Sequence, residues 1–146
     1  MSRSQTVRTK VFQALTGFEH SGKVIPVFDE IVNNLVPVPS VDGAEEVYIV
    51  LQDQQEYPNA VQTVCAPRFN LNLTIRVVTK WGKTGSKKLC EDIAQRILNL
   101  IRDDRGNSLI EGYQRVELSM NRTISEITQS NIAFSNITIL NFIQNG

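Results

Sequence analysis

The chain has 146 residues, 41% of them hydrophobic and 21% charged, with fifteen basic residues balanced by fifteen acidic ones. This composition fits one globular domain with its own core and excludes a disordered segment, which is poorer in apolar groups. Zero net charge argues against a dedicated nucleic-acid binder, which carries a basic excess, and leaves copies of the chain little reason to repel one another.

The polar start, Met1 to Gln5, has no apolar stretch behind it, so no secretory signal is expected, and no apolar run approaches a membrane span. A helix is expected from about Thr6 to Thr16, with Val7, Val11, Ala14, Leu15 and Phe18 on one face and Gly17 and Gly22 bracketing its end. Lys23 to Glu30 reads as extended. Pro26 has no N–H to give to a ladder, so this piece is an edge strand or a strapped connector. Ile31 to Leu35 reads as a turn of helix before Pro37, Pro39 and Gly43 break regularity.

Glu45 to Asp53 alternates, with Val47, Ile49 and Leu51 on one face. Tyr48 and Val50 on the other are expected as an exposed apolar patch of the interface kind. The polar stretch Gln52 to Arg68, with Pro58 and Pro67, lies between two strands that read as antiparallel partners, and is expected to be a hairpin arm or tip. Phe69, Leu71, Leu73, Ile75 and Val77 then point one way, with Asn70, Asn72, Thr74 and Arg76 opposite, as in a sheet buried on one side.

After a Gly/Lys turn, Leu89, Ile93, Ile97 and Ile101 form the stripe of an amphipathic helix, widened by Cys90, Ala94, Leu98 and Leu100. Asp104 to Asn107 is a turn. A strand from about Leu109 to Met120 should turn Val116, Leu118 and Met120 inward. Asn121 to Asn131 reads as a polar loop. Ile132 to Phe142 is apolar on both faces, Phe134, Leu140 and Phe142 against Ile137, Ile139 and Ile143, so it is either central or meets another subunit. The fold class expected is α+β, a mainly antiparallel sheet of about four to five strands packed by two helices, with a long hairpin arm. Residues 1–146 make a single domain.

The chemical motifs are weak. Gly82 to Lys88 resembles a phosphate loop, but Val77 and Val78 stand in a strand where the loop's bare backbone should curl. It reads as a strand-to-helix turn with Thr84 or Ser86 as the cap. One histidine, His20, cannot build a histidine-rich metal site, and its Gly-flanked setting suggests a solvated loop. Glu45 and Glu46, adjacent in a strand, point to opposite faces and form no acid pair. Cys90 reads as core filling and Cys65 as a free thiol; the sequons at Asn72, Asn121 and Asn136 read as chance matches. Trp81 beside Lys80 and Lys83 reads first as a cap on the open end of the core. The alternative is a small ligand- or nucleic-acid-binding domain using the Trp81, Lys83 and Lys87 surface, with Lys88 beside it. No catalytic, metal or cofactor-binding residue is singled out, and no enzyme is expected.

Taken in order, these segments resemble the tail-terminator and head-to-tail completion (neck ring) proteins of tailed bacteriophages. The resemblance is carried by the N-terminal helix with Val7, Val11 and Leu15, the extended Val24 to Asp29, and the strand Val47 to Leu51. Phe69 to Thr79, Thr84-Gly85-Ser86, the helix Leu89 to Ile101 with Asp92-Ile93-Ala94, and two closing strands complete it. It implies a structural virion protein, assembled in the host cytoplasm, whose homo-oligomeric ring (a hexamer or dodecamer) joins or terminates the tail. The implied partners are portal, adaptor or tail tube proteins, with passing DNA touched only transiently. It also implies two different patches on each subunit that meet head to tail. Tyr57, Val61 and Val64 in the arm, and Ile124 and Ile127 in the last loop, are apolar residues among polar ones and are the expected interface anchors. Each has packing against its own domain as the alternative.

Overall fold

The computed structural model of the chain describes residues 3–29, 32, 36–58 and 69–144, and of residues 3–5, 53–58, 69, 70 and 144 only the backbone. Its order is α1 (Arg3–Leu15), β1 (Glu19–His20), β2 (Lys23–Val24), β3 (Val27–Asp29), β4 (Glu46–Pro58), β5 (Phe69–Trp81), α2 (Lys88–Ile101), β6 (Tyr113–Ile127) and β7 (Ile132–Gln144). The expected α+β class holds: the described residues form two helices and a five-stranded sheet of order β3-β4-β5-β7-β6, plus the small β1-β2 hairpin. β3 runs parallel to β4, and every other pairing is antiparallel.

Alternation builds the core. Leu71, Leu73, Ile75 and Val77 are at most 2% exposed, and Val47, Ile49 and Leu51 are fully buried beside them. α1 lies over β3, β4 and β5, and α2 over β5 and β7. The inner stripe of α2 is Leu89, Cys90, Ile93, Ala94, Ile97, Leu98 and Ile101. Leu100, expected in that stripe, is instead 44% exposed, because it sits on the helix flank turned away from the sheet. The N-cap of α2 is Lys87 rather than the expected Thr84 or Ser86, although Ser86 Oγ, one residue before it, accepts the Lys88 N–H at 3.1 Å.

Trp81 caps the core at 9% exposure and donates its indole N–H to Thr79 Oγ1 at 3.0 Å. Gly85 lies flat on the ring: a Cβ there would stand 2.6 Å from Trp81 Cγ. Two tight turns meet at the edge of the domain. Ser21-Gly22 and Asp42-Gly43 all have positive φ, as two-residue hairpin turns of type I′ require. Ser21 Oγ donates to Asp42 Oδ2 at 2.6 Å, which ties one turn to the other.

Several expectations need correction. The last loop is only Thr128 to Asn131, because β6 continues through the polar run Asn121 to Ile127. Leu118 turns inward as expected, opposite Leu140, but is 40% exposed because β6 is the sheet's edge strand. Met120 does not: a bulge between Leu118 and Met120 turns it to the outer face, opposite Ile139. His20 is not a solvated loop residue. It lies in β1, its side chain is 14% exposed, Arg96 donates to its Nδ1 at 2.8 Å, and Asp42 stands 3.7 Å from Nε2. β7 is central, between β5 and β6.

Candidate assembly surface

The outer face of the sheet, away from the helices, carries a set of half-buried apolar side chains. Tyr48 and Val50 belong to it but do not form the expected exposed patch. Val50 is 4% exposed, and the Tyr48 ring meets Phe28 edge-on with centroids 5.9 Å apart. Lys80 sits 5.6 Å above Tyr48 and 3.5 Å from Glu46, closing this corner.

The opposite side of the face is more open. Pairing puts Met120 opposite Ile139 and Ile124 opposite Ser135, with Ile137 and Ile143 along the same side of β7. All four isoleucines and Met120 are half-buried. Among them Arg76 donates to Ser135 Oγ at 3.1 Å and lies 3.8 Å from the Glu126 carboxylate. Arg76 Nε, Asn72 Oδ1 and Asn141 Oδ1 are buried without a hydrogen-bond partner, and Asn72 and Asn141 are direct cross-strand neighbours.

On the inner side of the same hairpin a polar network replaces apolar packing. Asn136 is 1% exposed; its Nδ2 donates to Asn121 Oδ1 at 2.9 Å and to Thr123 Oγ1 at 3.2 Å. Its Oδ1 accepts the Thr138 hydroxyl at 2.7 Å. Every member is satisfied, which makes a buried polar cluster tolerable and fixes the register of β6 on β7.

Of the five expected anchors, Ile124, Ile127 and the Tyr57 backbone are among the described residues. Ile127 is 75% exposed at the turn end of β6, and Ile124 is half-buried three residues earlier. Tyr57 pairs with Asn70, which pairs with Ile143, whereas Ile127 pairs with Ile132. Tyr57 and Ile127 are thus at opposite ends of the sheet, roughly 35 Å apart along β7. The Tyr57 side chain, Val61, Val64 and Cys65 lie outside the described residues. The sequence pattern pointed to Ile137, Ile139 and Ile143 through the two-faced strand, but nothing in it singled out Asn72, Arg76 or Asn141.

Burial pushes the Cys90 thiol up to about 11, helped by the neighbouring Glu91 carboxylate. Asp103 is held below its ordinary value, chiefly by the Asn107 N–H that it accepts. Among the described residues no three His, Cys, Asp or Glu side chains are grouped to hold a metal, and no helix is long and apolar enough to cross a membrane.

No protein-family model matches the chain, and no curated protein matches it. Among solved structures, it superposes on a chain from the virion of a native gene transfer agent particle, with a TM-score of 0.60 and 10% identity. The likeness is one of fold. It spans 99% of this chain and 100% of that one, so the two share a whole architecture from end to end.

Proposed function

We propose that this chain is a structural virion protein of a phage-like particle, forming a homo-oligomeric ring at the neck or tail end through whose lumen DNA passes. The observation that carries this reading is the end-to-end likeness of fold to a chain of a gene transfer agent virion. The outer sheet face supports it. Its half-buried isoleucines Ile124, Ile137, Ile139 and Ile143 offer apolar area that a second molecule would cover. In this reading the ring is a hexamer or dodecamer, its neighbours are portal, adaptor or tail tube proteins, and it works in the virion with no reaction of its own. Neutral overall charge suits a conduit that lets DNA slide, since phosphate contacts are what hold DNA in place.

The nucleic-acid alternative loses its stacking platform, because Trp81 faces the core. Lys83, Lys87 and Lys88 remain exposed, but Lys80 is engaged by Glu46 and Tyr48.

Light scattering coupled to size exclusion tests the proposal. A particle of about six or twelve chain masses, with an annulus in negative stain, is expected. A monomer at every concentration would sink it.

A further inference from the structure

β6 is the last strand of the sheet, and its backbone says which atoms are left over. The Thr128 N–H donates to the Asn131 carbonyl at 2.9 Å, closing the β6–β7 hairpin. In an antiparallel ladder, pairs that exchange hydrogen bonds alternate with pairs that do not. Counting back from that closing pair, Glu126, Ile124 and Arg122 bond to β7 through Ala133, Ser135 and Ile137. Ile127, Ser125, Thr123 and Asn121 therefore turn their N–H and C=O groups outward from the sheet's edge.

The two halves of this edge differ. From Tyr113 to Met120 it carries two bulges, with Arg115 and Glu117 between them, features that discourage strand pairing. From Met120 to Ile127 the register is unbroken, with neither bulge nor proline. Among the described residues this half is a template of backbone donors and acceptors with no strand beside it. Only an extended strand matches their spacing.

The other edge of the same sheet offers such a strand. β3 covers β4 only at Ile49 to Leu51, and Arg8 takes the carbonyls of Leu51 and Gln52. From Gln54 to Tyr57, between the bulge that follows Leu51 and Pro58, β4 runs on with β5 on one side and, among the described residues, no strand on the other. A template on one edge and, among the described residues, an uncovered strand on the opposite edge is a heterologous arrangement, which repeats head to tail and closes into a ring when the rotation permits.

We infer that the Asn121–Ile127 rim of one copy receives the Gln54–Tyr57 edge of a second copy, joining neighbouring sheets through main-chain hydrogen bonds. This rests on the ring reading above and names the surface that makes the ring.

Ser125→Pro tests it. That N–H points outward, so proline removes a rim donor while leaving the β6–β7 ladder whole, and Ile124 before it is already extended. The variant should keep its circular dichroism spectrum yet need about tenfold or more protein to assemble. Ile124→Pro, which breaks the ladder itself, should unfold the hairpin. Normal assembly of a folded Ser125→Pro protein overturns the edge pairing and leaves the ring standing; a wild-type chain that never assembles overturns both. Should Ser125→Pro fail to fold, hydrogen exchange on wild type decides. The Asn121, Thr123, Ser125 and Ile127 amides should exchange about tenfold or more slowly in the assembly than after dilution, and equal rates overturn the inference.

Discussion

Asn136 on β7 reaches diagonally across to Asn121 on β6, donating its amide to Oδ1 at 2.9 Å from a site 1% exposed. The side chain also holds Thr123 and Thr138, so one residue satisfies three others. Asn136→Ala is expected to strand several buried polar groups and to lower stability by about 1–3 kcal/mol. Urea unfolding measures it. An unchanged midpoint would mean that the network contributes nothing to the fold.

Arg8 clamps α1 to the start of the arm. Its guanidinium pairs with Asp29 and donates to the carbonyls of Leu51 and Gln52, beside the β4 bulge between Leu51 and Gln54. Lysine keeps the charge but not the fork, so Arg8→Lys should behave more like Arg8→Ala than like wild type. Each is expected to cost about 2 kcal/mol, read by thermal melting. Wild-type stability in Arg8→Lys would show that charge alone suffices.

Gly85 is required by contact with Trp81. Adding a methyl 2.6 Å from Cγ must displace the ring or the turn. Gly85→Ala is expected to destabilise by about 1–3 kcal/mol and to red-shift the emission of the chain's one tryptophan. A spectrum and melting curve matching wild type would refute the contact.

Cys90 is fully buried, with its pKa pushed up to about 11 by burial and then by Glu91. A folded pKa above the ordinary 9.0 gives a contribution that is complete below 9.0 and lost as pH rises through about 11. The native protein should therefore resist iodoacetamide at Cys90 at neutral pH and lose stability between those two values. Cys90→Ala should flatten that alkaline loss. Peptide mapping and alkaline melts give the readouts, and rapid labelling of folded Cys90 would contradict the buried thiol.

The core was legible because burial on one side of a sheet writes itself as period-two alternation: Val47 to Leu51 and Leu71 to Val77 lie as their spacing implies. β6 was not legible past Met120. Its polar run reads as a loop, yet Asn121 and Thr123 find partners in Asn136 and Thr138 from a strand fifteen or so residues on, which local sequence cannot display. His20 misled for a related reason: its shelter comes from Arg96, far along the chain. The assembly surface was half legible. The two-faced β7 announced Ile137, Ile139 and Ile143, whereas the backbone groups left over along β6 depend on strand order, which no residue encodes alone.

The bulge at Ser119 adds a single residue to β6, and everything after it takes the opposite side of the pleat. Deleting Ser119 alone would remove the bulge and leave Leu118 opposite Leu140 and Met120 opposite Ile139, so Met120, Arg122 and Ile124 would stay on the outer face and Asn121 and Thr123 beside Asn136 and Thr138. Adding a second residue beside Ser119, by contrast, would bend the strand further or throw the asparagine–threonine cluster to the other face. Loss of that one residue is therefore the length change this stretch is expected to tolerate best.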